Sequence, residues 1–485
     1  MSKSLGKSAV ILTASKIITT FITLISAMLL ARFRTLEEYG TYSQLLMVIT
    51  LATALFTLGL PNSTNYFLAR AETHDERQNF LSVYFSLNTL LCFIMGGALV
   101  LIIPLLIQYF NNELIKEYSY FLLLYPWAYV IIGNISNILV VYGKTTKLML
   151  FSIVSTAVAL ISILIVQILG WSFREYMIIF LVGNLLLMIW VYIMVWNLEK
   201  PLRISFSKPL IIKILKYSIP IGLAGLVGTV SIEIDKLMIG RFFNTEQLAI
   251  YTNAAKELPL SIVASSLTAV LLPQMARMLK NNEGKAAVSL WGSTVLLSYM
   301  IICFFSMALV VFAPQVITIL YSEKYLPGVT VFRVYSLVLL LRCTYFGMVL
   351  NSIGKTKLIF YSSLASLGLN VILNYTMYLL FGMVGPAIAT FLSIGLVGFA
   401  QLYVTAKEMK VPFRELMPWK RLFIVTLLNI ALGIIIYFIT RILSLGTDNG
   451  GILISISIGL IATIIYLLIL YKPGRLLWKE INNVS

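Results

Sequence analysis

Eight ionisable side chains stand inside otherwise apolar runs of this 485-residue chain: Lys16, Glu233, Asp235, Lys236, Lys256, Glu257, Arg333 and Arg342. A charge in hydrocarbon costs about 2.5–3.5 kcal/mol on insertion scales, so such groups persist where they pair, line water or meet a charged ligand. Lys16 lies about 12 Å into its run and Arg342 about 20 Å into another, at a rise of about 1.5 Å per residue. Thr13, Lys16, Thr20, Thr23 and Ala27 fall on one helix face, a small polar stripe that suits a cavity wall better than lipid. Snorkelling to the headgroups would strain Lys16 at that depth and Arg342 still more. Arg333, on the opposite face and one turn from the end of its run, suits an interfacial anchor. Glu233, Asp235 and Lys236 in one run and Lys256 and Glu257 in the next share a depth, because a short loop makes the two runs antiparallel neighbours. Ion pairs that fix this hairpin, with Asp235 and Lys256 depending on each other, and an ion or ligand pathway are equal readings of that group. Gly222, Gly225 and Gly228 in the same run point to a bendable or closely packed inner half.

The elements that must carry these residues are membrane spans. The chain is 60% hydrophobic and 11% charged, where a soluble protein carries about a quarter charged residues. Fourteen apolar runs, from about 8–30 to about 451–471, are each long enough to cross a bilayer. Helices are the expected form, since backbone groups in lipid must be satisfied within their own segment. Lys3 and Lys7 precede a first run that is long enough to span and lacks a small-residue cleavage site, so it reads as a span rather than a leader. With the N-terminus inside, the external connections hold only Arg32, Arg34, Lys116, Arg174, Arg241, Lys324 and Arg441 of the 36 Lys and Arg. The cytoplasmic connections hold Lys144, Lys147, Lys200, Arg203, Lys208, Lys213, Lys216, Lys407, Lys410, Arg414, Lys420 and Arg421, and the tail adds Lys472, Arg475 and Lys479. This is a strong positive-inside bias, which places both termini in the cytoplasm. The net charge of +17 therefore reports topology and contact with anionic lipid, with no nucleic-acid partner implied. Cys92, Cys303 and Cys343 lie in apolar runs as packing residues, and His74, among Glu72, Asp75 and Glu76, reads as a solvated surface residue. No metal site, catalytic constellation or cofactor is expected.

The chain also repeats itself. "ARFRTLEEYGTYS" from Ala31 returns as "GRFFNTEQLAIYT" from Gly240, "GKTTKLML" from Gly143 returns as "GKTKLIFY" from Gly354, and Leu60-Pro61 returns as Leu272-Pro273, all at shifts of about 210 positions. The unit is therefore six helices, an even number, so both copies enter the membrane in the same direction. The expected organisation is an all-α polytopic protein: an N-terminal six-helix lobe at 1–200, a cytoplasmic linker at 201–209, a parallel six-helix lobe at 210–408, and helices 13 and 14 with a cytoplasmic tail at 409–485.

Two six-helix lobes followed by two helices resemble the polysaccharide flippases (Wzx type, the O-antigen flippases among them) of the multidrug/oligosaccharidyl-lipid/polysaccharide exporter superfamily. The resemblance is carried by "SIEIDKLMIGRFFNTEQLAIYTNAAKELPLSIVASSLTAVLLPQMAR", with Asp235, Tyr251 and Pro273 spaced as in that family, and by "NSIGKTKL" and "LGLPNS". It implies a flippase that moves a polyprenyl-diphosphate-linked oligosaccharide from the cytoplasmic to the outer leaflet of a bacterial or archaeal plasma membrane, for surface polysaccharide biosynthesis. Compensating cations for the diphosphate would be Lys16 and Arg342, with Lys236 and Lys256. Glu233, Asp235 and Glu257 would serve in coupling or inter-helix pairs. The implied partners are the lipid-linked substrate, membrane lipids, H+ or Na+ as coupling ion, and polysaccharide polymerase machinery. The alternative is a cation-coupled multidrug exporter of the same superfamily, disfavoured because no acid stands inside a span of the first lobe. A membrane enzyme would be expected to carry a large external catalytic loop, and none is evident.

Overall fold

The computed structural model describes the backbone of residues 2–484 and the side chains of residues 11–355 and 357–477. Of the tail and N-terminal cations, Lys3, Lys7 and Lys479 lie outside the described side chains. The chain is helical throughout, with no strand among the described residues, and it is a multi-pass membrane protein. It divides into two compact units, Met1–Ala249 and Ile250–Ser485.

The first unit contains α1 (Ser2–Phe33), α2 (Leu36–Phe56), α3 (Leu60–Arg70), α4 (His74–Leu101), α5 (Ile103–Phe110), α6 (Leu114–Glu117), α7 (Ser119–Val141), α8 (Thr145–Ile168), α9 (Phe173–Trp196) and α10 (Lys208–Phe242). The short α11 (Thr245–Ala254) crosses the division. Three of these helices begin with a capping box: Thr35 with Glu38, Thr73 with Glu76 and Ser172 with Glu175. Each cap satisfies amides that would otherwise be orphaned at the helix start, worth roughly 1 kcal/mol apiece. The core of this unit lies where α4, α7 and α9 meet, around Tyr84, Ile131, Ile135 and Val191. Helix α1 packs on α8, and α10 packs on α2 and α3. Gly59 and Gly222 sit in the latter contact, and a Cβ on either would collide with the other segment's backbone. Gly225 and Gly228 face open space instead.

The second unit contains α12 (Ser261–Lys280), α13 (Gly284–Val311), α14 (Ala313–Leu320), α15 (Val329–Leu341), α16 (Met348–Ser352), α17 (Thr356–Phe381), α18 (Gly385–Met409), α19 (Phe413–Leu416), α20 (Trp419–Ile442) and α21 (Asn449–Val484). Its core surrounds α13, around Trp291, Val295, Met275 and Leu402. The last two long helices are tied to α13 by a buried tyrosine: Asn429 donates to the Tyr466 hydroxyl at 3.1 Å, and that hydroxyl donates to the Met300 carbonyl at 2.7 Å.

Against the fourteen spans expected, thirteen helical stretches among the described residues are long and apolar enough to cross a membrane. One of the thirteen, Lys357–Met409, is 53 residues long and contains both α17 and α18, which turn back on each other at Gly382 (φ 57°). Two other expected spans differ in form. The run 248–274 and the run 329–352 are each broken into two helices, at 255–260 and 342–347.

The repeated sequence builds repeated local structure. Helix α1 ends at Phe33 and α10 at its counterpart Phe242; α2 starts at Leu36 and α11 at Thr245. The intervening caps correspond as well: Thr35 accepts the Glu38 amide, and Asn244 accepts the Gln247 amide at 2.8 Å. Gly143 and Gly354 adopt φ of 65° and 75°. Each closes its helix with the same two bonds: Gly143 N–H to Val140 O and Gly354 N–H to Asn351 O, both 3.0 Å, then Lys144 N–H to Leu139 O and Lys355 N–H to Leu350 O, both 2.8 Å. This is the six-to-one closure that a left-handed residue permits. Leu60-Pro61 and Leu272-Pro273 diverge: Pro61 opens α3 after a break, whereas Pro273 lies inside α12.

The connection between α9 and α10 is a docked strap. The Gln78 amide donates to the Pro201 carbonyl at 2.5 Å, and the Arg203 and Ser205 amides donate to the Ser82 and Ser86 hydroxyls at 3.2 and 3.1 Å. Four residues of helix rise about 6 Å and two residues of extended chain about 6.6 Å, so the two ladders stay in register. At the head of the strap Glu199 is 3% exposed. Its carboxylate lies 3.0 Å from His74 Nε2 and 3.1 Å from Arg77 Nε, and accepts from the Tyr142 hydroxyl at 2.7 Å. Burial, reinforced by that bond to Glu199, pushes the Tyr142 pKa up, so the hydroxyl remains a donor. His74, expected to be simply solvated, is half-exposed and turned onto this carboxylate.

Candidate functional site

Helix α1 presents three faces at about 100° per residue. Ser15, Ser26 and Leu30 are buried, on the side that packs within the unit. Ile17, Ile18, Phe21 and Ile25 are exposed and apolar, as a lipid-facing surface is. Between them runs the stripe of Thr13, Lys16, Thr20 and Thr23, open and polar. Thr20 and Thr23 bond back to the carbonyls of Lys16 and Thr19 at 2.6 and 2.8 Å, which satisfies their hydroxyls without a partner helix. Lys16 is exposed on this face.

On α10, Lys236 Nζ donates to Glu233 Oε2 at 2.8 Å, one turn apart, with Glu233 nearly buried. Asp235 is 3% exposed. Asp235 belongs to the first unit and Lys256 to the second.

In the second unit the two helix breaks come together through charge. Arg342 donates from Nε and Nη2 to Glu257 Oε1, at 3.3 and 3.1 Å. The first break follows from sequence: Pro259 has no amide to donate and disfavours helical geometry at Leu258, so α11 stops at Ala254 and α12 restarts at Ser261. At the second break Arg342 caps α15, and Thr344 accepts from Trp291 Nε1 at 3.0 Å. The side chains leave the helix path for partners on other elements, and the backbone unwinds with them. Non-helical backbone at membrane depth is tolerated where it is enclosed by protein or lines water. The pair stays accessible, with the Arg342 side chain 44% and the Glu257 side chain 28% exposed. Arg333 donates instead to the Val310 carbonyl at 3.1 Å, near the end of α13.

The structure thus joins Arg342 to Glu257, 85 positions apart, and places Lys236 beside Glu233. Sequence reasoning set Glu257 in the hairpin with α10 and treated Arg342 as a lone deep cation. It missed both breaks. Pro259 was the signal for the first; no residue type announces the second. Among the described residues no group of His, Cys, Asp and Glu is arranged to hold a metal ion.

Comparisons with known proteins bear on what such an arrangement belongs to. The fold matches the structure described as lipid II flippase MurJ in an inward closed conformation, with a TM-score of 0.76 at 18% identity over 95% of this chain and 98% of that one. It also matches an inward-facing multidrug resistance MATE family transporter of the MOP superfamily, with a TM-score of 0.64 at 16% identity over 83% of this chain and 98% of that one. An outward-facing MATE family transporter matches with a TM-score of 0.53 at 17% identity, over 82% of this chain and 95% of that one. At these identities the likeness establishes the fold alone. No curated protein matches the sequence significantly. Residues 29–330, well over half of the chain, match the family described as polysaccharide biosynthesis protein. With that match and this fold, the chain belongs to the polysaccharide biosynthesis protein family.

Proposed function

We propose that the protein is a flippase that carries a polyprenyl-diphosphate-linked oligosaccharide from the cytoplasmic to the outer leaflet by alternating access. The observation that carries this reading is the accessible Glu257–Arg342 pair at two broken helices. Discontinuous helices supply ligand and ion sites near mid-membrane in transporters, because their freed backbone groups and charges can face a cavity. A diphosphate arriving at such a pair competes with Glu257 for Arg342, whose planar fork suits phosphate as well as carboxylate. Lys16, on the open polar stripe of α1, would meet the anion first, and Lys236 and Lys256 would extend the cationic wall. Release of Glu257 from Arg342 leaves a carboxylate free to take up H+ or Na+, which would couple transport to an ion gradient. Glu233, paired with Lys236, and Asp235 would serve on α10 as coupling or inter-helix ion-pair groups. The repeat supports rocking of lobes 1–200 and 210–408 about the linker 201–209, with helices 13 and 14 in 409–485 alongside. Both termini are cytoplasmic in this reading, in a bacterial or archaeal inner membrane, with polymerase machinery downstream.

The multidrug-exporter alternative draws on the MATE-like fold, but it calls for an acid deep within the first lobe's spans, and Glu37, Glu38, Asp75, Glu76 and Glu175 all stand in first turns. Surface-glycan complementation in a flippase-deficient host separates the readings. Lys16→Ala and Arg342→Ala should each keep normal protein levels and block glycan export, and Lys16→Arg should retain part of it. Full export by the Lys16→Ala/Arg342→Ala double variant would overturn the cationic-cavity mechanism.

A further inference from the structure

The segment between α18 and α20 does more than connect them. It folds across the first turns of α13: Leu416 and Met417 are buried in the core there, and Pro418 lies against Gly292, where a Cβ would meet its ring at 3.2 Å. Trp419 locks the crossing, donating to the Phe413 carbonyl at 3.1 Å and stacking on the Phe413 ring at 5.3 Å. Under this bridge is a cavity of about 700 Å3. Lys285, Ser289 and Ser293 line it from α13, at the four-residue spacing that puts them on one face, and Arg421 and Glu415 line it from the opposite side. Arg414 and Lys420 line an adjoining recess of about 640 Å3 with Trp419.

Neither Lys285 nor Arg421 has a carboxylate within ion-pair distance among the described residues, Glu415 included. Cations that serve only to orient a chain in the membrane need no cavity and no hydroxyls beside them. Here two cations and two serines line one half-open cavity. Its depth is defined by the chain: α13 and α20 both start their apolar spans here, so the cavity lies at the level of the phosphates of a bilayer. Below it, on the flank of α20 that carries Arg421 at about 100° per residue, Ile424 and Ile435 are exposed, a surface along which acyl chains can run. That continuity favours a lipid over a free anion.

We infer that this cavity binds the phosphate of an anionic phospholipid from the leaflet on the Lys- and Arg-rich side, with Lys285 and Arg421 on the phosphate and Ser289 donating to its oxygens. Glu415 opposes this charge, and the further cations Arg414 and Lys420 outweigh it. The bound lipid would brace the connector against α13, independently of the substrate the protein transports.

The test uses the full-length protein in nanodiscs of phosphatidylcholine, with and without phosphatidylglycerol, reading thermal unfolding and lipid retention by native mass spectrometry. Phosphatidylglycerol should raise the melting temperature of the unaltered protein. Lys285→Gln/Arg421→Gln should melt normally in phosphatidylcholine but lose most of the phosphatidylglycerol shift, with retention weakened about a hundredfold, as loss of two charge-assisted bonds predicts. A control, Lys144→Gln/Lys147→Gln, removes equal charge elsewhere and should keep the shift. Equal loss in both variants would overturn the site in favour of diffuse surface attraction. Reproduction of the shift by inorganic phosphate in phosphatidylcholine discs would overturn the lipid assignment. An unchanged shift in the Lys285/Arg421 variant would overturn both.

Discussion

Two carboxylates in this chain, Glu199 and Glu257, each face an arginine at 3.1 Å, in opposite surroundings. Glu199 is buried where α4, the end of α7 and the exit from α9 converge, with His74, Arg77 and Tyr142 around it. Glu257 has Arg342, both are accessible, and each stands where a helix has come apart. The residue types are the same. Burial and the number of partners distinguish a charge that holds the fold from one that, in the proposed mechanism, exchanges its partner.

The comparison can be broken by measuring stability and export together. The largest stability effect is expected at Glu199. Glu199→Ala leaves Arg77 and His74 facing a buried void, and should cost about 3 kcal/mol, the low end for breaking a buried pair because Arg77 stays one-third exposed. Denaturant or thermal unfolding in detergent checks this; a variant as stable as the unaltered protein would show that the hub is ornamental. A smaller effect is expected in the strap. Ser82→Ala/Ser86→Ala removes two acceptors from linker amides and should cost roughly 1 kcal/mol per bond. Faster tryptic cutting at Arg203 is the readout, and an unchanged cutting rate would mean that the strap is held by other contacts. The smallest stability effect belongs to Arg342→Ala. Exposed ion pairs contribute about 0–1 kcal/mol, so melting should barely move while export stops. A large drop in stability would place Glu257–Arg342 in the same class as Glu199 and remove the contrast.

Much of the local structure was legible. The match of Gly143 to Gly354 predicted equivalent turns, and both are left-handed helix closures. The match around Arg32 and Arg241 predicted equivalent helix connections, and the helix ends coincide residue for residue. Lys16 was picked out by periodicity, and its stripe is an open polar face. The linker was legible as a basic, proline-bounded segment but not as a strap, because its register depends on the spacing of Ser82 and Ser86 on a helix more than a hundred positions away. The pairing of Lys236 with Glu233 was within reach, being one helical turn.

What the sequence by itself determined were the properties carried by neighbours along the chain. Hydrophobic run length decides that a segment spans, the Lys and Arg count predicts sidedness, and Gly, Pro and Thr-x-x-Glu patterns decide where helices stop and start. These depend on interactions within a turn or two, or with the bilayer itself, so they can be read locally. Tertiary structure alone decided which charges distant in the chain met. His74 and Arg77 reach Glu199 only because α4 and the chain leaving α9 converge on one end of the unit, and Arg342 reaches Glu257 only because two helices break at the same place. An ion pair needs its atoms within a few ångströms, and separation along the chain says nothing about that distance once helices pack.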